Sequence, residues 1–241
     1  MTRRARPIVA AVAGVLLLAI LIVASTDLPR FGSGHSAYAD GMIRASIGGR
    51  NVSNVVTAIV YDVRGCDSLG EEMILFGSVS GVILLLAEKK KGSQSTRGFA
   101  VTSFVRTSSI PLFALLVIFA VYLCWNGHLG MGGGFQGGVA GFGAYLLVYF
   151  ARDLQHAERF AKISALEFLA AIGGGTFIVV GLVGLMTGGS FLWNWMPFGK
   201  FGALFSGGTI PYISIGVGIE VAAGFSILVE QFAFQIDSDR K

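Results

Sequence analysis

Six apolar runs, separated by polar or glycine-rich segments, restrict the folding of this sequence more than any other feature. They cover approximately residues 8–24, 71–87, 109–126, 135–151, 163–186 and 209–229. Each run is near the ~20 residues that an α-helix needs to cross a bilayer. Charged residues make up 13% of the chain, against a usual share of ~25% in soluble domains. We therefore predict an all-α, polytopic transmembrane protein with about six crossings.

Basic residues set the predicted orientation, because cytoplasmic loops are enriched in lysine and arginine. The chain begins with MTRRAR, and two basic breaks follow, EKKKGSQSTR at residues 88–97 and RDLQHAERFAK at residues 152–162. Placing these segments inside puts the tail DSDRK inside and residues 127–134 and 187–208 outside. The first run also fits a secretory signal peptide, but we expect it to remain as a membrane helix. We expect a multi-pass protein of the cell (plasma) membrane with cytoplasmic termini. The net charge of +4 is too small to indicate nucleic-acid binding.

The segment NVSNVVTAIVYDV, residues 51–63, is apolar but short of a full span. If it crossed the membrane, the lysine cluster near residue 90 would lie outside, against the usual charge distribution. We therefore predict one short re-entrant or interfacial helix here, of a kind that partner subunits can stabilise.

Charged residues are concentrated directly after this segment, in YDVRGCDSLGEE. One interpretation is a helix start, because Ser68 and Glu71 have capping-box spacing and Asp67 suits the positive helix end. Arg64 could then neutralise a carboxylate. The other interpretation is a proton or cation relay that includes Asp62, since carboxylates at membrane depth are costly and usually functional. The sequence leaves both interpretations open.

The stretch GHLGMGGGFQGG, residues 127–138, places seven glycines between two apolar runs. It formally contains G-x-G-x-x-G, but no strand precedes it, so a dinucleotide site is not indicated. Glycine instead permits unusual backbone angles and close helix contacts, and the four-residue glycine spacing here is typical of packing in lipid. We predict a turn and a helix-packing surface formed by Gly132, Gly133, Gly134, Phe135, Gly137 and Gly138.

Glu220 lies near the middle of the last apolar run. An unpaired charge there would cost several kcal/mol, so we expect Glu220 to be protonated, paired or beside water. Because no lysine or arginine occupies the core of a neighbouring run, we expect its partner on another chain.

Cys66 and Cys124 form no C-x-x-C pair, so metal binding is not indicated, and a disulfide between them is a minor alternative to two separate apolar residues.

Two stretches resemble subunits of known membrane complexes. NVVTAIVYDVRGCDSLGE, residues 54–71, resembles a motif of the E subunit of energy-converting membrane-bound hydrogenases, and the C-terminal part of the A subunit of Mrp-type antiporters has a similar stretch. GHLGMGGGFQGG resembles the G-H-x-x-P-G-G-G-F-x-G-G motif of the B subunit of those antiporters, the MnhB family. The part of the chain after the basic linker is similar to that family's four-helix layout, including LFSGGTIPYISIGVG at residues 204–218. Met131 replaces the family proline, so the turn loses one fixed backbone angle, and Ser68 replaces a threonine.

The resemblance implies three regions: a hydrogenase-E-like membrane domain at residues 1–90, a basic cytoplasmic linker at 91–106, and an MnhB-like four-helix domain at 107–241. It implies a membrane subunit of a multisubunit Na⁺/H⁺ antiporter, without its own catalytic site or cofactor. Its role would be in assembly and in the ion or proton path. The implied partners are the large A and D subunits and small subunits such as C, E, F and G, besides lipid, Na⁺ and H⁺. The alternative is a structural coupling subunit of an energy-converting, hydrogenase-like redox complex.

His128 and Phe135 carry over from the glycine motif as functional candidates. A histidine at a helix end is often only a satisfied polar contact, but its ordinary pKa near ~6.5 would suit proton exchange. The candidates for the ion or proton path are therefore Asp62, Arg64, Asp67, Glu71, His128 and Glu220.

Overall fold

A computed structural model describes residues 5–26, 28, 37–86, 102–152 and 162–238, and the predicted basic linker lies largely outside them. These residues form helices and turns without strands, which confirms the all-α prediction. The helices are α1 (Ala5–Thr26), α2 (Ala37–Arg50), α3 (Val55–Ala58), α4 (Gly65–Leu86), α5 (Ser103–Asn126), α6 (Gly134–Arg152), α7 (Ile163–Gly188) and α8 (Ile210–Ser238).

The chain divides into two compact units, residues 1–41 and 42–241. The first unit contains α1, which corresponds to the first predicted crossing and has the apolar stretch Ala11–Thr26. This stretch is shorter than the ~20 residues of a typical span.

The second unit contains five helices that are long and apolar enough to cross a membrane. They are Gly65–Leu86, Ser103–Asn126, Gly134–Ala151, Ile163–Gly188 and Ile210–Ala233, and they coincide with the five remaining predicted runs. The polytopic helical architecture is therefore confirmed within the described part of the chain.

Helix α8 is the centre of the second unit. It packs against α4, α5, α6 and α7, while α5 also packs on α6 and α4 on α7. Of its most apolar stretch, 61% is buried inside the unit, compared with 11% for α4 and for α5. Helix α8 is therefore a core helix, whereas α4 and α5 present most of their surface to lipid or to other chains.

The short apolar segment before α4 is irregular. Asn54 caps α3, which continues into one π-helical turn, Ile59–Val63. The four residues of α3 and the five of the π-helical turn rise at most ~14 Å at 1.5 Å per residue. A bilayer core is ~30 Å thick, so this element is too short to cross it.

The predicted capping box at Ser68 is wrong. Helix α4 begins at Gly65, so Ser68 lies inside the helix, and its hydroxyl donates to the carbonyl of Val60 at 2.7 Å. The π-helical turn ends at Val63 and α4 begins two residues later, so the first helical residue lies before the predicted cap.

Candidate functional site

The glycine-rich segment between α5 and α6 forms a tight turn. Gly132 and Gly133 both have φ of 146°, a backbone conformation that side chains disfavour. A Cβ atom added to Gly132 would lie 2.6 Å from the carbonyl oxygen of Leu123. The side chain of Met131, at the position of the family proline, is exposed. Glycine is therefore required here by both angle and space.

Helix α3 is bonded directly to this turn. The side-chain amide of Asn54 donates to the carbonyls of Gly127 and Gly130, each at 2.8 Å. Its oxygen accepts from the backbone N–H groups of Val56 and Thr57 and so caps α3. The hydroxyl of Thr57 also donates to the Gly127 carbonyl at 2.8 Å. The two stretches that resemble different subunits thus form one continuous structure in this chain.

His128 is buried within this structure, with 1% of its surface exposed. Its carbonyl accepts from the backbone N–H of Asn54 at 3.1 Å. The carbonyls of Ala203, Trp125 and Leu204 lie beside the ring, but neither ring nitrogen reaches hydrogen-bond geometry with a described residue. Burial lowers the pKa of His128 below its ordinary value, and these carbonyls oppose that shift. A charged imidazolium in this site would lack the hydration that it has in water, so burial disfavours the protonated form. A role of His128 in proton exchange stays a prediction.

The charged residues before α4 separate into two ion pairs. Asp62 is bound by Arg50 at 2.6 Å, and its side chain is only 6% exposed. The Arg50 guanidinium also lies over the ring of Phe198, 5.4 Å from its centre. Arg64 instead pairs with Asp67 at the surface, where both side chains are more than half exposed. The predicted carboxylate cluster is thus divided, and Asp62 is neutralised by an arginine that the sequence did not single out.

A cavity of about 160 Å³ lies between α3, α4 and the glycine turn. We call it the turn cavity; its lining includes Thr57, Tyr61, Ser68, Glu71, Glu72 and Phe135. His128 is not part of this lining. The structure therefore brings Glu71 and Phe135 together but leaves the imidazole of His128 apart from them.

Tyr61 lines the turn cavity and also contacts the start of α6. Its hydroxyl accepts from the backbone N–H of Gly134 at 3.1 Å, at the first residue of α6. Burial raises the pKa of Tyr61 to about 12, so the phenol stays neutral. This side chain thus satisfies one N–H group that would be unpaired at a helix start.

Two acidic side chains meet in the helical core. Glu72 of α4 and Glu220 of α8 are 2% and 1% exposed, and their carboxyl groups lie near enough to interact electrostatically. Oxygen Oε2 of Glu72 and both oxygens of Glu220 nevertheless have no hydrogen-bond partner among the described residues. The expectation that the partner of Glu220 belongs to another chain therefore stays a prediction. The group facing it is a second carboxyl of the same chain.

Glu72 was not among the predicted candidates. It is buried, whereas Glu71 beside it is exposed, because consecutive helical residues point ~100° apart. The buried residues of α4 are Gly65, Ser68, Glu72 and Val79, at helical spacing. This stripe of small and polar residues is the signal that could have identified Glu72.

A second cavity, of about 310 Å³, lies between α4, α7 and α8. We call it the helix cavity; its lining includes Leu75, Val79, Ile83, Glu167, Glu220 and Ile227. It is almost entirely apolar apart from its two glutamates and Ser80. Glu220 therefore lines the apolar helix cavity, whereas Glu72 lines the more polar turn cavity.

The glycines of α6 lie where this helix contacts its neighbours. A Cβ atom on Gly137 would touch Sγ of Cys124 in α5 and lie 2.8 Å from the carbonyl oxygen of Ala120. A Cβ atom on Gly138 would lie 2.6 Å from Cβ of Val221 in α8. Helix α6 thus contacts α5 with one glycine and α8 with the next.

Other polar groups complete the core. Tyr145 of α6 donates a short hydrogen bond to Oε1 of Glu230 in α8, a pair that the sequence did not suggest. Cys66 is exposed and Cys124 is buried, and they are not joined by a disulfide. Across the described ranges, no three histidine, cysteine or acidic side chains converge as a metal site would require.

Comparison with known proteins places these features in a family. The chain resembles a chain of the membrane-bound sulfane sulfur reductase, an archaeal respiratory membrane complex, with 31% identity and a TM-score of 0.75. That match covers 93% of this chain and 97% of the other. An uncharacterized protein of Methanocaldococcus jannaschii is 27% identical over 197 residues, which are 73% of this chain and 75% of that protein.

The fold is also similar to a chain of the Mrp complex from Dietzia sp. DQ12-45-1b, at 24% identity and a TM-score of 0.75. This chain spans about a quarter of that longer one, 26%. A sequence model of domains related to the MnhB subunit of Na⁺/H⁺ antiporters matches residues 104–227, slightly more than half of the chain. The matched segment contains the glycine turn and Glu220. The chain belongs to the family of domains related to the MnhB subunit of Na⁺/H⁺ antiporters.

Proposed function

We propose that this chain is a membrane subunit of a multisubunit Na⁺/H⁺ antiporter, in which it supports assembly and contributes to the ion or proton path. The observation that carries the proposal is the family match over residues 104–227, which includes a buried, uncompensated carboxyl at Glu220. Ionisable groups within membrane helices are costly and typically belong to ion or proton paths. The chain is proposed to have no catalytic site of its own.

Assembly with partner subunits is supported by the surfaces of α4 and α5. Only 11% of the most apolar stretch of each helix is buried inside the chain. We propose that part of this surface contacts the large antiporter-like A and D subunits and small subunits such as C, E, F and G. The remainder contacts lipid.

We further propose that the protein lies in the cell membrane with both termini in the cytoplasm. In this arrangement α3 and the glycine turn lie at the outer side, and the turn cavity opens there. In a variant with Cys66 and Cys124 replaced by alanine, a single cysteine introduced at Ser93 should react with an impermeant thiol reagent only from the cytoplasm, and one at Gly189 only from outside. Labelling at Ser93 from outside would mean that residues 51–63 cross the membrane.

The turn cavity is the proposed outer access to the ion or proton path. Glu71 lines it, and the exposed pair of Arg64 and Asp67 lies on the same helix end. We propose structural roles for Asp62 and His128. Asp62 is paired with an arginine, and the imidazole of His128 is buried beside backbone carbonyls.

The transport experiment uses everted membrane vesicles that contain the whole complex. Glu71→Gln should reduce Na⁺-dependent proton movement while the amount of complex on native gels stays unchanged. Asp62→Asn is the contrasting variant, and it should lower the amount of complex and transport in parallel. If Glu71→Gln transports as the wild type does in an intact complex, the turn cavity is not the access route.

A second candidate function is a structural coupling role in a redox-driven membrane complex. The observation that favours it is the match over 97% of a chain from the sulfane sulfur reductase complex. Purification in mild detergent followed by mass spectrometry separates the two functions. Large antiporter-like subunits alone support the antiporter, whereas co-purifying redox subunits, such as iron–sulfur or nickel proteins, support the coupling role.

A further inference from the structure

We propose that Glu72 and Glu220 hold one proton between them and pass it from the turn cavity to the helix cavity. The inference deepens the proposed role in a proton path and rests on it. It assigns the transfer step to two residues of this chain, on different helices.

The position of the two side chains supports this assignment. Glu72 lines the turn cavity, Glu220 lines the helix cavity, and the two carboxyl groups lie near each other. Each residue therefore belongs to the lining of a different cavity. A proton that enters beside Glu72 can leave beside Glu220.

The charges around the pair require a proton. Neither cavity lining includes a lysine or an arginine. The titratable groups that face the pair are Glu71 on α4, Tyr61 on the π-helical turn and Glu167 on α7, none of which supplies positive charge. Two neighbouring buried carboxyl groups cannot both ionise, and in known pairs of this kind the two groups share one proton.

Close packing fixes the orientation of Glu220. A Cβ atom on Gly174 would lie 2.7 Å from its Oε2 atom, and one on Gly173 would lie 2.6 Å from its backbone nitrogen. These two glycines of α7 allow the carboxyl to lie directly against the helix backbone. Glu220 is thus packed tightly against α7.

The occupant is a proton rather than a metal cation. Hard cations need several oxygen ligands. The helix cavity beside Glu220 is lined mainly by apolar side chains such as Leu75, Val79 and Ile227, and its other oxygen-bearing side chains are Ser80 and Glu167. Among the described residues, no three acidic, histidine or cysteine side chains converge as a metal site would require. Backbone carbonyls within α4 and α8 are used in helical hydrogen bonds. The two carboxyl groups alone cannot complete a cation shell, but they can bind one proton.

The transfer step is balanced in charge. The protonated carboxyl of Glu72 donates its proton to the carboxylate of Glu220, and a single negative charge moves the opposite way. The pair carries one negative charge before and after the step. Release into the helix cavity and renewed uptake from the turn cavity restore the starting state.

The first test is chemical and uses the assembled complex in its membrane. Dicyclohexylcarbodiimide modifies protonated carboxyl groups in apolar surroundings, and peptide mass spectrometry locates the product. We expect one modification per chain, at Glu72 or Glu220, with Glu71 unmodified. Labelling of both carboxyls in one chain, or of neither, would overturn the shared proton.

The second test measures proton movement in everted vesicles. Glu72→Gln and Glu220→Gln should each reduce it by about 100-fold, the lower end of what a positioned proton-transfer group contributes. Gly174→Ala should also reduce it, because the added methyl displaces the Glu220 carboxyl. Gly175→Ala is the matched control, since a Cβ atom there has nothing within 4 Å.

The two tests separate the inference from the proposed function. If wild-type vesicles show no Na⁺-dependent proton movement, the proposed function is wrong, and the carbodiimide pattern still decides whether the pair shares a proton. If the wild type transports and both glutamine variants transport equally well in intact complexes, the relay is wrong and the proposed function stands.

Discussion

The contact between α5 and α6 has no room for one additional methyl group at Gly137. A Cβ atom there would lie 2.8 Å from the carbonyl oxygen of Ala120 and 2.9 Å from the backbone nitrogen of Cys124. Ordinary contact begins at 3.4 Å, so Gly137→Ala forces these backbone atoms 0.6 Å and 0.5 Å further away. Backbone atoms cannot rotate aside as a side chain can, so the helices themselves must separate.

This separation should cost ~1–3 kcal/mol, the usual penalty for overpacking a well-packed core. In a chain of this size, ~1 kcal/mol corresponds to a shift of ~2–4 °C in the midpoint of thermal unfolding. We therefore expect Gly137→Ala to lower the midpoint by several degrees. The measurement is loss of the assembled complex on heating in mild detergent, followed by size-exclusion chromatography.

Gly143→Ala is the matched control, on the same helix. A Cβ atom at Gly143 has no atom within 4 Å, so no neighbour must move. Alanine also favours a helix over glycine by up to ~1 kcal/mol. The control should keep or slightly raise the midpoint. Equal midpoints for the wild type and both variants would refute the argument that the glycine contact limits the helix distance.

Three further predictions concern the elements around the glycine turn, each measured by the same thermal assay. Asn54→Asp keeps the cap acceptor of α3 but removes two donors to the turn, so it should cost ~1–3 kcal/mol at ~0.5–1.5 per hydrogen bond; an unchanged midpoint would mean that the turn does not depend on α3. Asp62→Asn breaks a half-buried ion pair and should destabilise more than Asp67→Asn, whose surface pair contributes ~0–1 kcal/mol; the reverse order would contradict the assignment. Because burial lowers the pKa of His128, the unfolded chain binds its proton first as pH falls below ~6.5, and stability is lost in that range. His128→Asn should remove this part of the acid sensitivity, and an unchanged pH dependence would argue against a buried neutral imidazole.

The long helices could be predicted from the sequence because a bilayer imposes one length and one composition on every span. The runs at residues 109–126 and 163–186 correspond closely to α5 and α7, Ser103–Asn126 and Ile163–Gly188. The glycine turn was also predicted at the correct place, because local backbone geometry determines where the chain turns.

The polar contacts could not be predicted in the same way, because they depend on residues that are distant in sequence. Asp62 is bound by Arg50 rather than by nearby Arg64, since the π-helical turn directs it toward the end of α2. The Glu72 and Glu220 contact joins the first and last spans of the second unit. No local pattern specifies such a pairing.

The central position of α8 has a consequence for how the chain enters the membrane. This helix carries two buried carboxyl groups, Glu220 and Glu230, and an acidic residue at the centre of a lone membrane helix costs ~2.5–3.5 kcal/mol on insertion. The ribosome completes α8 after α4, α6 and α7, which contain Glu72, Tyr145 and the glycines that surround these carboxyls. The earlier spans thus offer the last helix a site in which its acidic groups are shielded from lipid. The order of helices along the chain therefore lets the least lipid-compatible span enter the membrane after its protein neighbours have been synthesised.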